Sequence, residues 1–133
     1  MRYYRYDKNT GKILAQCFRR IADDPGLPPD SETVGNIEVE EYGHHYVDIT
    51  VSPPILLDQE YLNASWDKTT VIANSGDFAT LSPIPLNTLF SINGFEVEVN
   101  DGALEVYADL VGEYKVKIIS PKFVSQYWII TGV

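Results

Sequence analysis

The region 88–119 alternates apolar and polar residues, and this pattern constrains the fold more than any other part of the sequence. Alternation with a period of two is typical of a β-strand with one buried face. Asn93-Gly94 interrupts the alternation and predicts a hairpin, because a type I′ turn needs φ > 0 at both central residues. Asn100-Asp101-Gly102 predicts a second turn, and Gly112 precedes a further strand. We therefore predict a meander of strands joined by tight turns.

The apolar positions of this meander, together with one earlier residue, define a predicted hydrophobic core. They are Val71, Phe90, Ile92, Phe95, Val97, Val99, Leu104, Val106, Tyr114, Val116 and Ile118. Further strands are expected at 69–73, 77–81 and 123–131, and the Pro residues within 82–85 predict a break between two sheets. About seven short strands separated by turn signals are typical of a small β-sandwich.

The first half of the chain predicts strands of less regular pattern. Strands are expected at 2–6 and 12–18, and a Pro-rich loop follows within 19–35. Extended segments are expected at 36–42, 46–51 and 55–61. We predict an all-β chain in which 1–66 form a β-hairpin and extended strands and 67–133 form the sandwich. Because an isolated hairpin is only marginally stable, the N-terminal one must pack against the later domain or another protein, and we expect it to be the attachment element.

Composition limits the classes of protein to which this chain can belong. Its 133 residues, of which 44% are hydrophobic, suit one ordinary domain or two very small ones. No apolar run of about 18 residues is present, so no membrane span is expected. The basic start leads into no apolar segment, so we expect no signal peptide. Cys17 is the single cysteine, which excludes an internal disulfide.

Charge is distributed unevenly along a chain whose formal net charge is −9. Residues 1–20 carry six Lys or Arg side chains and one acid, whereas residues 21–67 carry eleven acids and no Lys or Arg. Either the acidic segment is a solvated face that keeps the chain soluble, or it receives the basic end of another copy. Nucleic acid is not expected as a partner, because phosphate contacts need a basic surface.

No arrangement of residues typical of an enzyme is present in the sequence. There is no Gly-rich phosphate loop, no Gly-x-Ser-x-Gly and no Cys/His metal spacing. His44-His45 is interpreted as part of a surface turn, because adjacent strand residues point to opposite faces and no third ligand is near in sequence. A calcium site at Asp101 and Asp109 is a minor alternative. We therefore expect no catalytic residue, no cofactor and no metal.

Segment 66–77, with the sequence WDKTTVIANSGD, resembles the opening of small immunoglobulin-like modules in structural proteins of tailed bacteriophages. Residues 74–76 stand for the first turn of those modules, 82–86 for their Pro-flanked segment and 100–102 for their hairpin. Residues 110–114 stand for the turn into the penultimate strand, although they lack its proline. Segments 6–12 and 46–48 also resemble the front half of such phage proteins. The resemblance covers most of the chain, and its motifs are turns rather than active-site residues.

This resemblance implies an immunoglobulin-like sandwich at 67–133 in a non-enzymatic structural subunit of a tailed-phage particle. The expected position is the tail tip, the baseplate or the region of fibre attachment, in multiple copies per virion and after synthesis in the bacterial cytoplasm. Other virion proteins are the expected partners. The alternative is a carbohydrate-binding module that contacts the host cell surface through exposed aromatic residues.

Aromatic and Arg side chains at the start of the chain predict where such a partner binds, since these residues dominate interface hot spots. The predicted contact residues are Tyr3, Tyr4, Arg5, Tyr6, Arg19 and Arg20. The opposing interpretation is that the three tyrosines complete the chain's own sheet.

Overall fold

The computed structural model describes residues 1–19 and 26–133. Thirteen β-strands and no helix are present in these residues, which confirms the predicted all-β fold. The strands fall into two compact units, Met1–Glu60 and Tyr61–Val133. The boundary between the units thus lies six residues before the one expected between 66 and 67. Ser65–Trp66 belongs to the second unit because it pairs with a strand there. Arg20 and part of the Pro-rich loop, 20–25, lie outside the described residues.

The first unit contains a three-stranded antiparallel sheet and a hairpin. In the sheet, β1 (Arg2–Asp7) lies between β2 (Ile13–Phe18) and β3 (Val34–Val39). The hairpin consists of β4 (His45–Asp48) and β5 (Ile55–Asp58). The predicted N-terminal hairpin is therefore not an isolated element, because β3 pairs with all of β1. Pairing on both sides makes β1 a central strand.

Gly11 allows the β4–β5 hairpin to pass close to the turn between β1 and β2. Its φ is +78°, and a Cβ atom there would lie 1.9 Å from the carbonyl oxygen of Val47. The Val47 N–H donates to the Gly11 carbonyl at 2.8 Å. Any side chain at position 11 would push β4 away, so only glycine allows the sheet and the hairpin to form one unit.

The second unit consists of eight strands in two sheets. They are β6 (Ser65–Trp66), β7 (Thr70–Val71), β8 (Phe78–Ser82), β9 (Thr88–Ile92), β10 (Phe95–Val99), β11 (Leu104–Tyr107), β12 (Gly112–Ile118) and β13 (Tyr127–Gly132). One sheet has the order β10-β9-β12-β13-β7, and the other has the order β11-β8-β6. All neighbours are antiparallel except β7 and β13, which are parallel. The predicted break between sheets lies between β8 and β9, at the cis Ser82-Pro83 bond.

Side chains from both sheets share one hydrophobic core, which makes the second unit sandwich-like. The predicted core residues that are buried in it are Val71, Phe90, Val99, Leu104, Val106, Val116 and Ile118. Ile92 and Tyr114 are partly buried against this core. Trp66 and Trp128 meet edge to face across the two sheets, with ring centroids 6.2 Å apart, and such pairs add to the stabilisation from apolar burial.

The prediction that Phe95 and Val97 belong to the core is wrong, because they are 78% and 37% exposed. Phe95 lies opposite Ile92, and Val97 lies opposite Phe90, so both side chains share a face with core residues. β10 is an edge strand of the five-stranded sheet, whereas the other sheet has only three strands. Exposure falls along β10 from Phe95 to Val99, which is 3% exposed, so the shared core covers only the end of this edge strand.

Candidate functional site

The structure places the predicted contact strand inside the first unit. Tyr4 is 1% exposed, Tyr6 is 5% exposed and Tyr3 is 9% exposed. Burial raises the pKa of Tyr6 and is also the main cause of the raised pKa of Tyr3, because a buried phenolate loses its hydration. These rings complete the chain's own sheet and offer no exposed aromatic surface to a partner.

Two of the three predicted Arg contacts, Arg5 and Arg19, lie within the described residues. Arg5 is half-buried in β1. An Arg19 N–H donates to the carbonyl of Gly26 at 2.6 Å, so Arg19 makes a contact within the chain. Arg20 lies outside the described residues. Arg5 and Arg19 both lie near Tyr3, where their charges oppose the rise in its pKa, but the buried Tyr3 ring presents no aromatic surface for an interface.

A chain of hydrogen bonds connects Tyr4 to the β4–β5 hairpin. The Tyr4 hydroxyl lies 2.7 Å from His45 Nδ1 and accepts the Gly43 N–H at 2.9 Å. His45 Nε2 lies 3.2 Å from Asp58 Oδ1. With the Tyr4 O–H donating to Nδ1, a neutral imidazole carries its proton on Nε2 and donates it to Asp58. The imidazole is thus held in one orientation by contacts at both nitrogens.

This arrangement corrects the interpretation of the His44-His45 pair, since only His44 is an exposed turn residue and His45 is half-buried. Sequence reasoning missed it because Tyr4 and His45 are 41 positions apart. Tyr4 is too buried to meet a substrate, so the contacts hold the 43–45 turn on β1 rather than form a nucleophile. No group of three or more His, Cys, Asp or Glu side chains that could hold a metal occurs in the described residues.

An open cleft of about 650 Å³ lies beside His45 in the first unit. Its lining includes Glu40, Glu41, Tyr42, His44 and Asp58. The Tyr42 ring packs against Tyr4 with centroids 5.6 Å apart, and its hydroxyl donates to the Cys17 carbonyl. An aromatic ring fixed beside carboxylates and an imidazole can bind a small polar ligand such as a sugar.

The second unit exposes apolar side chains at the end where β8 and β12 begin and β11 and β13 finish. We call this surface the apolar end, and it consists of the half-buried Phe78 and five exposed residues, Ile72, Tyr107, Leu110, Val111 and Val133. Leu110 and Val111 are each 74% exposed, and Ile72 is 59% exposed. Single exposed apolar residues are common, but several that share one end of a domain form an apolar patch, which is less usual on a protein surface.

Backbone contacts hold the segments of the apolar end together. The Asn74 N–H donates to the Ala108 carbonyl at 2.8 Å, and the Ala73 N–H donates to the Val133 carbonyl at 2.9 Å. The Phe78 and Tyr107 rings pack with centroids 5.0 Å apart. Three separate segments therefore present their apolar side chains side by side.

Tyr114 fixes the turn that carries Leu110 and Val111. Its hydroxyl accepts the Leu110 N–H at 3.0 Å and donates to the Leu110 carbonyl at 2.9 Å. A turn that is already ordered loses little conformational entropy when a partner binds. The apolar end is therefore a preformed surface.

Acidic side chains surround this surface. Asp109 and Glu113 are exposed beside Leu110 and Val111, and neither forms an ion pair with another described residue. Asp77 is paired with Lys68. A partner with an apolar centre and basic margins would complement this charge.

The structure separates the two aspartates of the suggested calcium site. Asp101 precedes β11 and Asp109 follows it, so the two carboxylates lie beyond opposite ends of that strand. A calcium ion needs several oxygen ligands that converge on one point. The calcium alternative is therefore wrong for this pair.

No protein family, curated protein or solved structure matches this chain. Within 1–19 and 26–133 there is no helix of the length and apolarity that a membrane crossing requires. The function of the chain must therefore be inferred from the surfaces that its two units present.

Proposed function

We propose that this chain is a non-enzymatic structural subunit that binds another protein through the apolar end of its second unit. The observation that carries the proposal is the pair Leu110 and Val111, each 74% exposed on a turn that Tyr114 fixes. Exposed apolar side chains on an ordered turn gain free energy when a partner covers them and lose little entropy. The expected partner has an apolar centre with basic margins, which would face Asp109 and Glu113.

We further propose that the second unit is an immunoglobulin-like module. In such sandwiches, two mostly antiparallel sheets face each other, and a Tyr near the start of the penultimate strand bonds to backbone a few residues upstream. Tyr114 is in β12, the penultimate strand, and bonds to Leu110. The two facing sheets and this contact support the assignment.

The proposed setting is a tailed-phage particle, at the tail tip, the baseplate or the region of fibre attachment. It is supported by the resemblance of the turn motifs at 74–76, 82–86 and 100–102 to those of phage immunoglobulin-like modules. The partner would then be another virion protein. Multiple copies per particle would repeat the same contact.

The proposal is tested by incorporation of variants into particles. Leu110→Ser/Val111→Ser should be missing from purified particles while the isolated chain keeps its unfolding temperature. Leu86→Ser is the matched control, because Leu86 is 66% exposed and precedes β9 at the other end of the unit. Normal incorporation of the double variant would exclude the apolar end as the contact. Absence of the unchanged chain from purified particles would exclude the virion setting.

A second candidate function is carbohydrate binding in the cleft beside His45. The observation that favours it is the Tyr42 ring, held next to Glu40, Glu41 and Asp58. A glycan array with the isolated chain, compared with its Tyr42→Ala variant, tests this function. A signal that disappears in the variant would support it, whereas an assembly subunit should give no signal.

A further inference from the structure

We propose that the free edge of β10 is a docking site for an extended segment of another protein that alternates apolar and basic residues. Such a segment would add a sixth strand to the five-stranded sheet. This site is separate from the apolar end and does not depend on it.

The first observation is the direction of the β10 backbone. Phe95 lies opposite Ile92 across the two-residue Asn93-Gly94 turn, and φ is positive at both turn residues. Residues that flank such a turn exchange their hydrogen bonds with each other, and the pattern then alternates along the strands. Leu89 lies opposite Glu98, in a pair that does not exchange hydrogen bonds between β9 and β10. Its carbonyl points to the β12 side and accepts the Ile119 N–H there, as this alternation requires.

The N–H and C=O groups of Glu96 and Glu98 must therefore point away from β9, out of the sheet. β9 is the strand with which β10 pairs in the described part of the chain. In that part, no backbone hydrogen bond covers the outer groups of Glu96 or Glu98. β10 thus presents two backbone donors and two acceptors in the spacing that a further antiparallel strand would use.

The second observation is the chemistry of the two faces of β10. On the core-facing side, Phe95 is 78% exposed and Val97 is 37% exposed. On the other side, Glu96 and Glu98 are exposed and form no ion pair with any described residue. An added strand would place apolar side chains beside Phe95 and Val97 and its other side chains beside the two carboxylates. Opposite charge there requires Lys or Arg.

The same charges argue against a second copy of β10 as the occupant. Antiparallel pairing of two β10 strands would place Glu96 and Glu98 of one copy next to those of the other, on the same face. Like charges on directly opposing strand residues are destabilising. The two glutamates thus protect the edge against self-association and select a basic partner.

A synthetic peptide of alternating Lys and Val, about seven residues long to match a strand, is the probe. Its ends are blocked, and a peptide with Glu in place of Lys is its control. Titration into the isotope-labelled chain should shift the amide resonances of β10, and the Glu peptide should cause no shift. Absence of binding by the Lys peptide, or equal binding by both peptides, would overturn the proposal.

Variants at position 98 distinguish the contribution of the backbone N–H to peptide binding from the contribution of the carboxylate charge. Glu98→Pro removes the N–H that points away from β9 and leaves every hydrogen bond between β10 and β9 in place. It should therefore weaken peptide binding at least about tenfold. Glu98→Gln keeps the donor and should weaken binding only a few-fold, with less dependence on salt. Equal affinity of the Pro variant and the unchanged chain would exclude strand addition.

Charge reversal provides a test that does not depend on tolerance of proline. Glu96→Lys/Glu98→Lys should lose the Lys peptide and gain the Glu peptide, and failure of this exchange would overturn the proposal. Leu110→Ser/Val111→Ser should bind the Lys peptide as the unchanged chain does. That variant distinguishes a failure of the β10 site from a failure of the apolar end.

Discussion

The hydroxyl of Tyr114 bonds to both backbone groups of Leu110, as acceptor from the N–H at 3.0 Å and as donor to the carbonyl at 2.9 Å. One side chain thus closes the turn that leads from β11 into β12. The same contact holds in place the turn that carries Leu110 and Val111, each 74% exposed. One phenol hydroxyl therefore closes a turn of the fold and also orders the proposed binding surface.

Tyr114→Phe should lower the free energy of unfolding by about 1–2 kcal/mol, because it removes both hydrogen bonds and keeps the ring. Thermal unfolding followed by calorimetry measures the change. Tyr127→Phe is the control, since Tyr127 is 61% exposed and its ring can keep its contact with Lys115. An equal effect of both substitutions would mean that the Tyr114 contact contributes no special stability.

Val97→Ala should cost less than about 0.5 kcal/mol, the range of ordinary surface substitutions, because Val97 is 37% exposed. Val116→Ala should cost roughly 1–3 kcal/mol through lost burial and a cavity, because Val116 is fully buried. Denaturant unfolding of both variants measures the contrast. A larger loss at Val97 would show that β10 is covered in solution.

Tyr4→Phe should destabilise the first unit by about 1–3 kcal/mol, because it leaves the Gly43 N–H and His45 Nδ1 without their partner. Tyr46→Phe serves as the control in the same unit, and it should change stability less. Denaturant unfolding of both variants, followed by the near-ultraviolet circular dichroism of the tyrosines, measures the change in the free energy of unfolding. No difference between the two variants would contradict a structural role for the Tyr4 contacts.

The stability of the second unit should depend on Asp77 in acid. The hydrogen bond from Lys68, followed by that from the Ile72 N–H, lowers the pKa of Asp77. A carboxyl group with a lowered folded-state pKa contributes stability above its unfolded pKa, roughly 3.9. That contribution is lost as the pH falls through the lower pKa of the folded state.

Asp77→Asn should therefore be less stable than the unchanged chain near neutral pH, and the difference should shrink below about pH 4. Thermal unfolding at several pH values measures it, and a constant difference would contradict the assignment.

A fragment that begins at Tyr61 should be more stable than one that begins at Asp67. The longer fragment keeps Leu62 and Trp66, which pack in the core, whereas the shorter one loses both and β6. Loss of two large apolar side chains should cost about 3 kcal/mol or more. Chemical denaturation of both fragments compares them. Equal stability would place the start of the folded unit at Asp67, as the sequence had predicted.

The sequence predicted the all-β fold because period-two alternation and Gly-containing turns are local signals. Asn93-Gly94 and the strands around it are where they were expected. Burial was harder to predict, since Phe95 and Val99 follow the same pattern on one strand, yet Phe95 is exposed and Val99 is buried. A local pattern tells which face a side chain shares but not whether another layer covers it.

The candidate surfaces were less predictable for the same reason. The Tyr4–His45 contact and the convergence of Ile72, Leu110 and Val133 join parts of the chain that are far apart in sequence. Three tyrosines in one short strand predicted an exposed interface, yet β1 is a central strand and they are buried. Composition alone does not distinguish an aromatic core from an aromatic surface.

The parallel pairing of β7 with β13 has a mechanical consequence. Tension between Tyr61 and Val133 would pull these two strands in opposite directions along their length. The bonds from Thr131 N–H to the Thr69 carbonyl and from Val133 N–H to the Val71 carbonyl, both between 2.8 and 2.9 Å, would then be loaded together. Shear of this kind requires several bonds to break at once, whereas unzipping breaks them singly. The second unit is thus arranged to resist extension along the chain.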